Sequence, residues 1–209
     1  MTNDLLSVIA ERYPLTDADS ITGLKASGMK FDIRSYKAEG LGHVSVMSAK
    51  GFFGLMKMDT LIVNPYDVDL PLYSYDRIFA MGNDTLIVEL YDTLSGEGFT
   101  MKDVKSEYGD LTERDPGEHW YDSIKLKESI SKKGKKCDTP RLDELTVRHF
   151  GAYLSAAVPT ENRELKREKA SAYVEGLLSK GGPSTDAFKK ALGNEKTAEI
   201  FRNMLFGTE

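Results

Sequence analysis

A single carboxylic acid stands in the middle of a stretch that otherwise has the pattern of a buried β-strand. The stretch Leu72–Ala80 (LYSYDRIFA) follows directly after Pro71, a residue that is tolerated at the start of a strand but not inside it. Because side chains alternate between the two faces of a strand, Asp76 shares its face with Leu72 and Ile78. Apolar surroundings raise the pKa of a carboxyl group, which could then keep a proton near neutral pH and donate it to a ligand. The alternative interpretation is a structural Asp76 that pairs with a charged neighbour or faces solvent.

Motifs for other common kinds of chemistry are missing from the sequence. It contains no P-loop, no GxSxG, no HExxH and no CxxC motif. The segment Gly40-Leu41-Gly42 lacks the third glycine of a dinucleotide-binding fingerprint and is typical of a turn. His119 and His149 are each isolated, and Cys137 lies in a lysine-rich segment without an evident partner base. We therefore expect no metal site and no nucleophilic cysteine.

The composition is ordinary for a water-soluble protein. The chain has 209 residues, of which 40% are hydrophobic, and a formal net charge of −5. Its length suits a single domain spanning residues 1–209, which we expect to be monomeric. We find neither an apolar run long enough to span a membrane nor an export signal. The single cysteine fits a reducing compartment. We therefore expect a cytoplasmic protein that is not associated with a membrane. The excess of acidic residues argues against nucleic-acid binding.

One segment runs against the overall negative charge. Residues 125–141 (KLKESISKKGKKCDTPR) hold seven basic residues and two acidic ones. A run of this kind can be an ordinary solvated surface. It can also be a docking patch for an acidic partner, or a source of cations for the carboxylates of a ligand.

The remaining pattern predicts a sheet covered by helices. Strand-like stretches occur at residues 31–38, 41–49, 53–63, 72–80, 85–91 and, more loosely, 120–132. Helical spacing occurs at residues 3–13, weakly at 17–27 and 101–108, and then at 140–158, 160–178, 184–192 and 195–206. Several strands, 85–91 above all, are apolar on both faces, so both faces of the sheet should be covered. The predicted fold is a three-layer α/β/α sandwich of the α+β class, with a central antiparallel sheet flanked by helices.

Several short motifs follow one another in a characteristic order between about residues 30 and 206. They are His43-x-Ser45, a strand that ends at Asn64-Pro65, the run from Asp69 to Asp76 (DLPLYSYD), the region of Trp120, and the closing Ala191-Leu192-Gly193 and Met204-Leu205-Phe206. The order H-x-E, strand, F-P, D-x-P-x-F-G-x-D is that of the ferredoxin-dependent bilin reductases. The chain resembles this family, whose members reduce biliverdin and related open-chain tetrapyrroles.

The resemblance implies a bilin bound between the sheet and the C-terminal helices, without a metal or a flavin. Reduced ferredoxin or flavodoxin would supply electrons one at a time, and Asp76 would donate a proton to the bilin. The implied substrate-binding residues are His43, Ser45, Met58, Thr60, Ser74 and Lys132, the last of these near a bilin propionate. The implied docking site of the electron donor includes Lys125, Lys132, Lys133, Lys135 and Lys136. Met47, Met56 and Met58 could form adaptable apolar walls, although methionines more often pack in a core.

Three departures from the family's pattern bear on activity. Ser45 replaces the glutamate of H-x-E, Thr60 stands where some members carry a histidine, and Gly181-Gly182-Pro183-Ser184 replaces a run N-D-K-T. The resemblance therefore does not tell which double bond is reduced. Two alternatives stay open: a tetrapyrrole- or heme-binding protein of the same fold without reductase activity, and an interaction protein whose sheet and C-terminal helices leave no ligand-sized gap.

Overall fold

A seven-stranded antiparallel sheet forms the centre of the molecule, and each strand pairs with the next one along the chain. The computed structural model describes residues 1–209 apart from the side chain of Pro183. The strands are β1 (Leu15–Ala26), β2 (Met29–Ala38), β3 (Gly42–Gly51), β4 (Met56–Asn64), β5 (Leu72–Ala80), β6 (Asn83–Tyr91) and β7 (Ile130–Lys135). The short turns between the first six strands keep sequential neighbours adjacent, as expected for a meander.

Helices cover both faces of this sheet. One face packs against α1 (Thr2–Ala10) and α2 (Thr139–Ser155). The opposite face packs against α3 (Arg163–Lys180), α4 (Pro183–Leu192), α5 (Asn194–Glu199) and the π-helical turn Ile200–Leu205 that follows α5. Each face has its own hydrophobic cluster, as a sheet that is apolar on both sides requires. The predicted α/β/α sandwich with a central antiparallel sheet is confirmed.

Strand β5 divides its side chains between the two clusters as its alternation predicts. Tyr73 and Tyr75 are fully buried under α2, in the cluster that also contains Phe150 and Tyr153. Leu72, on the opposite side of the strand, belongs to the cluster under the C-terminal helices. Asp76 has the same parity as Leu72 and therefore faces those helices.

The predicted weak helix at residues 17–27 is wrong, because this segment is most of strand β1. β1 is an edge strand and most of its side chains are exposed, so its sequence lacks a regular apolar alternation. Its pairing with β2 is also interrupted by register shifts between Asp17 and Asp19 and between Ile21 and Leu24. Such irregularities remove the period-two signal by which strands are recognised.

The segment between β6 and β7 also differs from the prediction. The predicted strand at 120–132 is a 3₁₀ turn at Asp122–Ile124 followed by β7, which begins only at Ile130. The predicted helix at 101–108 is reduced to a 3₁₀ turn at Lys105–Tyr108. Among the described residues, no helix is both long and apolar enough to cross a membrane.

A glycine in α3 allows the 92–129 segment to lie against the C-terminal helices. The indole of Trp120 occupies the space beside Gly176, where an added Cβ would lie 2.1 Å from the Cη2 atom of the ring. The indole N–H donates a hydrogen bond to the carbonyl oxygen of Gly181 at 3.0 Å. These contacts fix the position of His119 and Tyr121, the residues on either side of Trp120.

We therefore expect Gly176→Ala to displace the indole and to lower the free energy of unfolding by about 1–3 kcal/mol, as overpacked sites do. The matched control is Gly151→Ala in α2, where an added Cβ meets no atom within 4 Å. This control should raise the free energy of unfolding by up to about 1 kcal/mol, because alanine is the better helix former. Urea unfolding followed by the fluorescence of the single tryptophan measures both; equal effects of the two substitutions would contradict the packing.

Candidate active site

A cavity of about 380 Å³ lies between the sheet and the C-terminal helices. The sheet contributes Met58, Thr60, Ser74, Asp76, Ile87 and Glu89 to its lining. The helices, the π-helical turn and the residue that follows this turn contribute Tyr173, Leu177, Phe188, Phe201 and Phe206. The volume is in the range of small-molecule sites, and the predominance of apolar and aromatic walls is typical of them. Met47, Met56 and Met58 all line the cavity, as the sequence suggested.

Asp76 is the central acid of this cavity. It pairs in register with Thr60 of β4, whose hydroxyl donates a hydrogen bond to Oδ1 of Asp76 at 2.5 Å. Burial raises the pKa of Asp76 to about 6, the hydrogen bond from Thr60 opposes that shift, and the negative charge of Glu89 adds to it. The direction matches the expectation of a desolvated carboxyl. With a pKa near neutrality, Asp76 can both give up a proton and regain one.

A second carboxylate, Glu89, lies on the neighbouring strand β6 and was not predicted. It pairs in register with Ser74, accepts a hydrogen bond from the hydroxyl of Tyr91 at 2.6 Å, and lies 3.8 Å from the ammonium group of Lys125. In the sequence, residues 85–91 look apolar on both faces, which hid the one charged residue among them. Strict alternation from Ile87 would have placed Glu89 on the cavity side.

The 92–129 segment brings a cation and an imidazole to the same cavity. The backbone N–H of Arg114 donates to the carbonyl oxygen of Ser131 in β7, and its guanidinium reaches the hydroxyl of Ser131 at 3.4 Å. His119 stacks on Tyr121 with ring centroids 4.8 Å apart and planes at 9°. Both Arg114 and His119 line the cavity, and neither was predicted to do so. No strand or helix pattern surrounds them, so the sequence offered no signal for their position.

The aromatic walls suit a flat conjugated ligand. The rings of Tyr91 and Tyr173 lie 4.2 Å apart at 32°, and Tyr121 meets both of them edge to face. Burial raises the pKa of Tyr91 and of Tyr173 well above the ordinary value of tyrosine, so neither would ionise near neutral pH. These rings therefore offer π surfaces to a ligand, while the hydroxyl of Tyr91 already donates to Glu89.

Two predicted binding residues hold the C-terminal segment and do not line the cavity. The Nε2 atom of His43 lies 2.9 Å from the carbonyl oxygen of Met204. The hydroxyl of Ser45 donates a hydrogen bond to the carbonyl oxygen of Leu205 at 2.7 Å. Burial lowers the pKa of His43, which favours a neutral ring that donates from Nε2. Ser45 thus holds a backbone carbonyl of the C-terminal segment above the sheet.

Lys132, which was predicted to bind the ligand, lies on the face of the sheet opposite to the cavity. It pairs in register with Leu86, which belongs to the cluster under α2. Its buried ammonium group contacts Glu113 at 2.6 Å and the carbonyl oxygens of Tyr108 and Leu111 at 3.3 and 3.1 Å. The expected contact of Lys132 with a ligand carboxylate is therefore corrected, and Arg114 is the cation that the cavity offers.

The lysines of the predicted docking patch do not form one surface. Lys125 pairs with Asp122 at 2.5 Å and Lys132 is buried, whereas Lys133, Lys135 and Lys136 are exposed at the end of β7. An acidic partner could reach only the last three without breaking an ion pair.

No family model matches the chain, and no curated protein matches its sequence. Among solved structures, a selenomethionine-labelled phytochromobilin synthase from tomato, in complex with biliverdin, is similar to it with a TM-score of 0.77 and 11% sequence identity. The superposition covers 99% of this chain and 82% of that chain. At this level of identity the similarity establishes a shared fold.

The raised pKa of Asp76 has a consequence for stability. The folded chain binds this proton up to about pH 6, whereas the ordinary pKa of an aspartate is 3.8. The folded state therefore holds more protons than the unfolded state between these values, and the free energy of unfolding contributed by Asp76 falls as the pH rises through this window. Asp76→Asn should remove that loss, so the variant should gain melting temperature relative to the wild type above about pH 6 and less below about pH 4.

Thermal unfolding of wild type and variant across this pH range measures the difference. Asp59→Asn is the matched control, because Asp59 is the neighbour of Thr60 on the opposite face of β4. A gain for Asp76→Asn that does not change with pH would contradict the desolvated carboxyl.

Proposed function

We propose that this chain reduces a linear tetrapyrrole, biliverdin or a related bilin, in the cavity around Asp76. The observation that carries the proposal is a carboxyl group with a pKa near 6 at the centre of an aromatic-walled cavity. The similarity to a phytochromobilin synthase in complex with biliverdin supports the ligand class. The order of motifs that resembles the ferredoxin-dependent bilin reductases supports the reaction.

In this proposal, one double bond of the bilin takes up two electrons and two protons. Reduced ferredoxin or flavodoxin delivers the electrons singly, and each added electron makes the pigment more basic. Asp76 donates one proton to this electron-rich system and recovers it from solvent. Glu89 and His119 are the other titratable groups of the lining that are placed to supply the second proton. The tyrosines bind the π system, and Arg114 meets a carboxylate of the ligand.

The docking of the electron donor is part of the same proposal. An acidic donor would approach Lys133, Lys135 and Lys136, which are exposed and close together along the chain. The net charge of −5 opposes such an approach at long range, so these lysines would act within about a Debye length, roughly 8 Å at physiological ionic strength.

A second candidate function is a tetrapyrrole- or heme-binding protein without reductase activity. The hydrogen bond from Thr60 favours it, because that bond stabilises the ionised form of Asp76 and so opposes proton storage. The third alternative, an interaction protein with a filled gap between the sheet and the C-terminal helices, conflicts with the cavity found there.

Anaerobic incubation with biliverdin and reduced ferredoxin, followed by absorption spectroscopy, tests the proposed reaction. We expect the long-wavelength band of bound biliverdin to shift as its conjugation is shortened, and chromatography to show a reduced bilin. Tight binding without turnover would select the binding protein instead. If the chain neither binds nor reduces any of several bilins, the proposed reaction is rejected. If it does not bind heme either, both candidates are rejected.

Asp76→Asn tests the role of the proton donor. Asparagine preserves size and hydrogen bonding but cannot release a proton as a carboxylic acid does, so the variant should bind biliverdin with wild-type affinity. It should accept one electron and stall, with a bilin radical visible by electron paramagnetic resonance. We expect turnover to fall by about 10²–10⁴-fold, the usual contribution of a general acid. Asp59→Asn should turn over normally, and wild-type turnover in Asp76→Asn would exclude the role.

A further inference from the structure

The exposed hydrophobic side chains are concentrated at one edge of the molecule. Among the described residues, six large hydrophobic side chains are exposed, and four of them are Phe52, Phe53, Leu55 and Met81. Phe53 is fully exposed and Met81 is 93% exposed. These four residues lie in the β3–β4 and β5–β6 turns. Single exposed hydrophobic residues are common on protein surfaces, whereas a cluster of them often marks an interaction site.

The meander brings three turns to the same edge of the sheet. In an up-and-down sheet, the β1–β2, β3–β4 and β5–β6 connections all lie at one end of the strands. The contacts confirm that they are neighbours. A groove is lined jointly by residues 25–30 of the first turn and 50–54 of the second, and another by Leu55, Phe79 and Gly82 of the second and third. We refer to residues 25–30, 50–57 and 79–83 as the turn edge.

The backbone of the turn edge is held in an unfavourable conformation at its apolar residues. Phe52, Phe53 and Met81 have φ angles of 51°, 56° and 52°. This left-handed region is usually occupied by glycine or asparagine, and bulky residues adopt it at a cost of about 1–3 kcal/mol each. Met81 stands at the first position of a two-residue hairpin turn, where asparagine or glycine would be more stable. Large apolar groups are thus displayed outward at positions that do not favour them.

Positive charge surrounds these apolar residues. The turn edge contains Lys25, Lys30, Lys50 and Lys57 and no aspartate or glutamate, although the whole chain has a net charge of −5. All four lysines are exposed. None of these four lysines forms an ion pair within the described residues. The lysines that do are Lys125, Lys132, Lys166, Lys169 and Lys196.

We propose that the turn edge binds the surface of a bilayer that contains anionic lipids. Aromatic and aliphatic tips inserted at the level of the headgroups, with lysines around them, are the combination that holds proteins at such a surface. A folded partner would need separate pockets for the tips of two turns, whereas the headgroup region accepts any spacing. No spanning helix is needed. Lys136 lines the same groove as Leu55 and Gly82, and Lys135 donates a hydrogen bond to Asn83, so a bilayer at the turn edge and an electron donor at Lys133, Lys135 and Lys136 would compete for neighbouring surfaces.

Binding in this orientation would also place one end of the cavity at the bilayer. Met29 lines both the cavity and the groove beside the first two turns, and Met56, next to Leu55, lines the cavity as well. These two methionines are therefore the part of the cavity lining that would lie nearest to the bilayer.

Sedimentation with vesicles tests the proposal without any pigment or electron donor. The purified full chain should bind vesicles of phosphatidylcholine with phosphatidylserine far better than vesicles of phosphatidylcholine alone, and high salt should weaken this binding. Combined Lys25→Gln, Lys30→Gln and Lys50→Gln should lower the partition coefficient on the order of a hundredfold, since each lysine near an anionic surface contributes about fivefold. Phe53→Ser with Leu55→Ser should lower it by about tenfold or more.

Matched controls separate the turn edge from charge and hydrophobicity in general. Lys37→Gln, Lys102→Gln and Lys127→Gln remove three exposed lysines elsewhere, and Val147→Ser with Val158→Ser removes the other two exposed hydrophobic side chains. Both control sets should bind vesicles as the wild type does. The proposal is overturned if the wild type does not bind anionic vesicles, or if the control sets weaken binding as much as the turn-edge sets.

Two further outcomes would assign the turn edge to another occupant. A concentration-dependent dimer that Phe53→Ser with Leu55→Ser abolishes, without vesicle binding by the wild type, would identify a second copy of this chain. Slower reduction by ferredoxin in the triple lysine variant, again without vesicle binding, would identify an acidic protein. Either result overturns the lipid proposal and leaves the proposed reaction intact.

Discussion

Three hydrogen bonds fasten the C-terminal segment, which forms part of the wall of the cavity, to the sheet. His43, Ser45 and Asn64 on β3 and β4 reach the carbonyl oxygens of Met204, Leu205 and Phe206. These carbonyls lie at the end of the π-helical turn, where the helix itself supplies no donor. Gly207 then passes so close to the ring of His43 that an added Cβ would lie 2.3 Å from it. Because this segment covers the second face of the sheet, the desolvation of Asp76 depends on it.

Asp76 and Arg77 are neighbours in the sequence, but the alternation of β5 places them on opposite faces of the sheet. Arg77 points into the cluster under α2, where Asp84 binds its guanidinium through Nε and Nη2, the latter at 2.6 Å. Asp84 also accepts a hydrogen bond from the hydroxyl of Thr139 at 2.6 Å. The cation next to Asp76 in the sequence is thus neutralised on the other side of the sheet. Asp76 is left with a neutral hydroxyl as its partner, and a carboxyl group without a cation keeps its proton to higher pH.

The architecture, and the face of the sheet on which Asp76 lies, could be predicted from the sequence for the same reason. The period of two in Leu72–Ala80 and the apolar residues on both faces of 85–91 depend on local geometry, which a sequence displays directly. It failed for β1 and for Lys132. The exposed edge strand has no apolar alternation by which it could be recognised. The resemblance to a family implied that Lys132 binds the ligand, but its position in the alternation of β7 directs its side chain away from the cavity. Arg114 and His119 were missed because a loop without a period positions them.

Titration of the side-chain carboxyl of Asp76, followed by ¹³C nuclear magnetic resonance with and without biliverdin, tests the central claim most directly. The resonance is assigned by its loss in Asp76→Asn. The account predicts that one aspartate of the free protein titrates near pH 6 and that its chemical shift and pKa change when biliverdin binds. An Asp76 resonance that titrates near the ordinary value of aspartate, or that is unaffected by bound biliverdin, would contradict it.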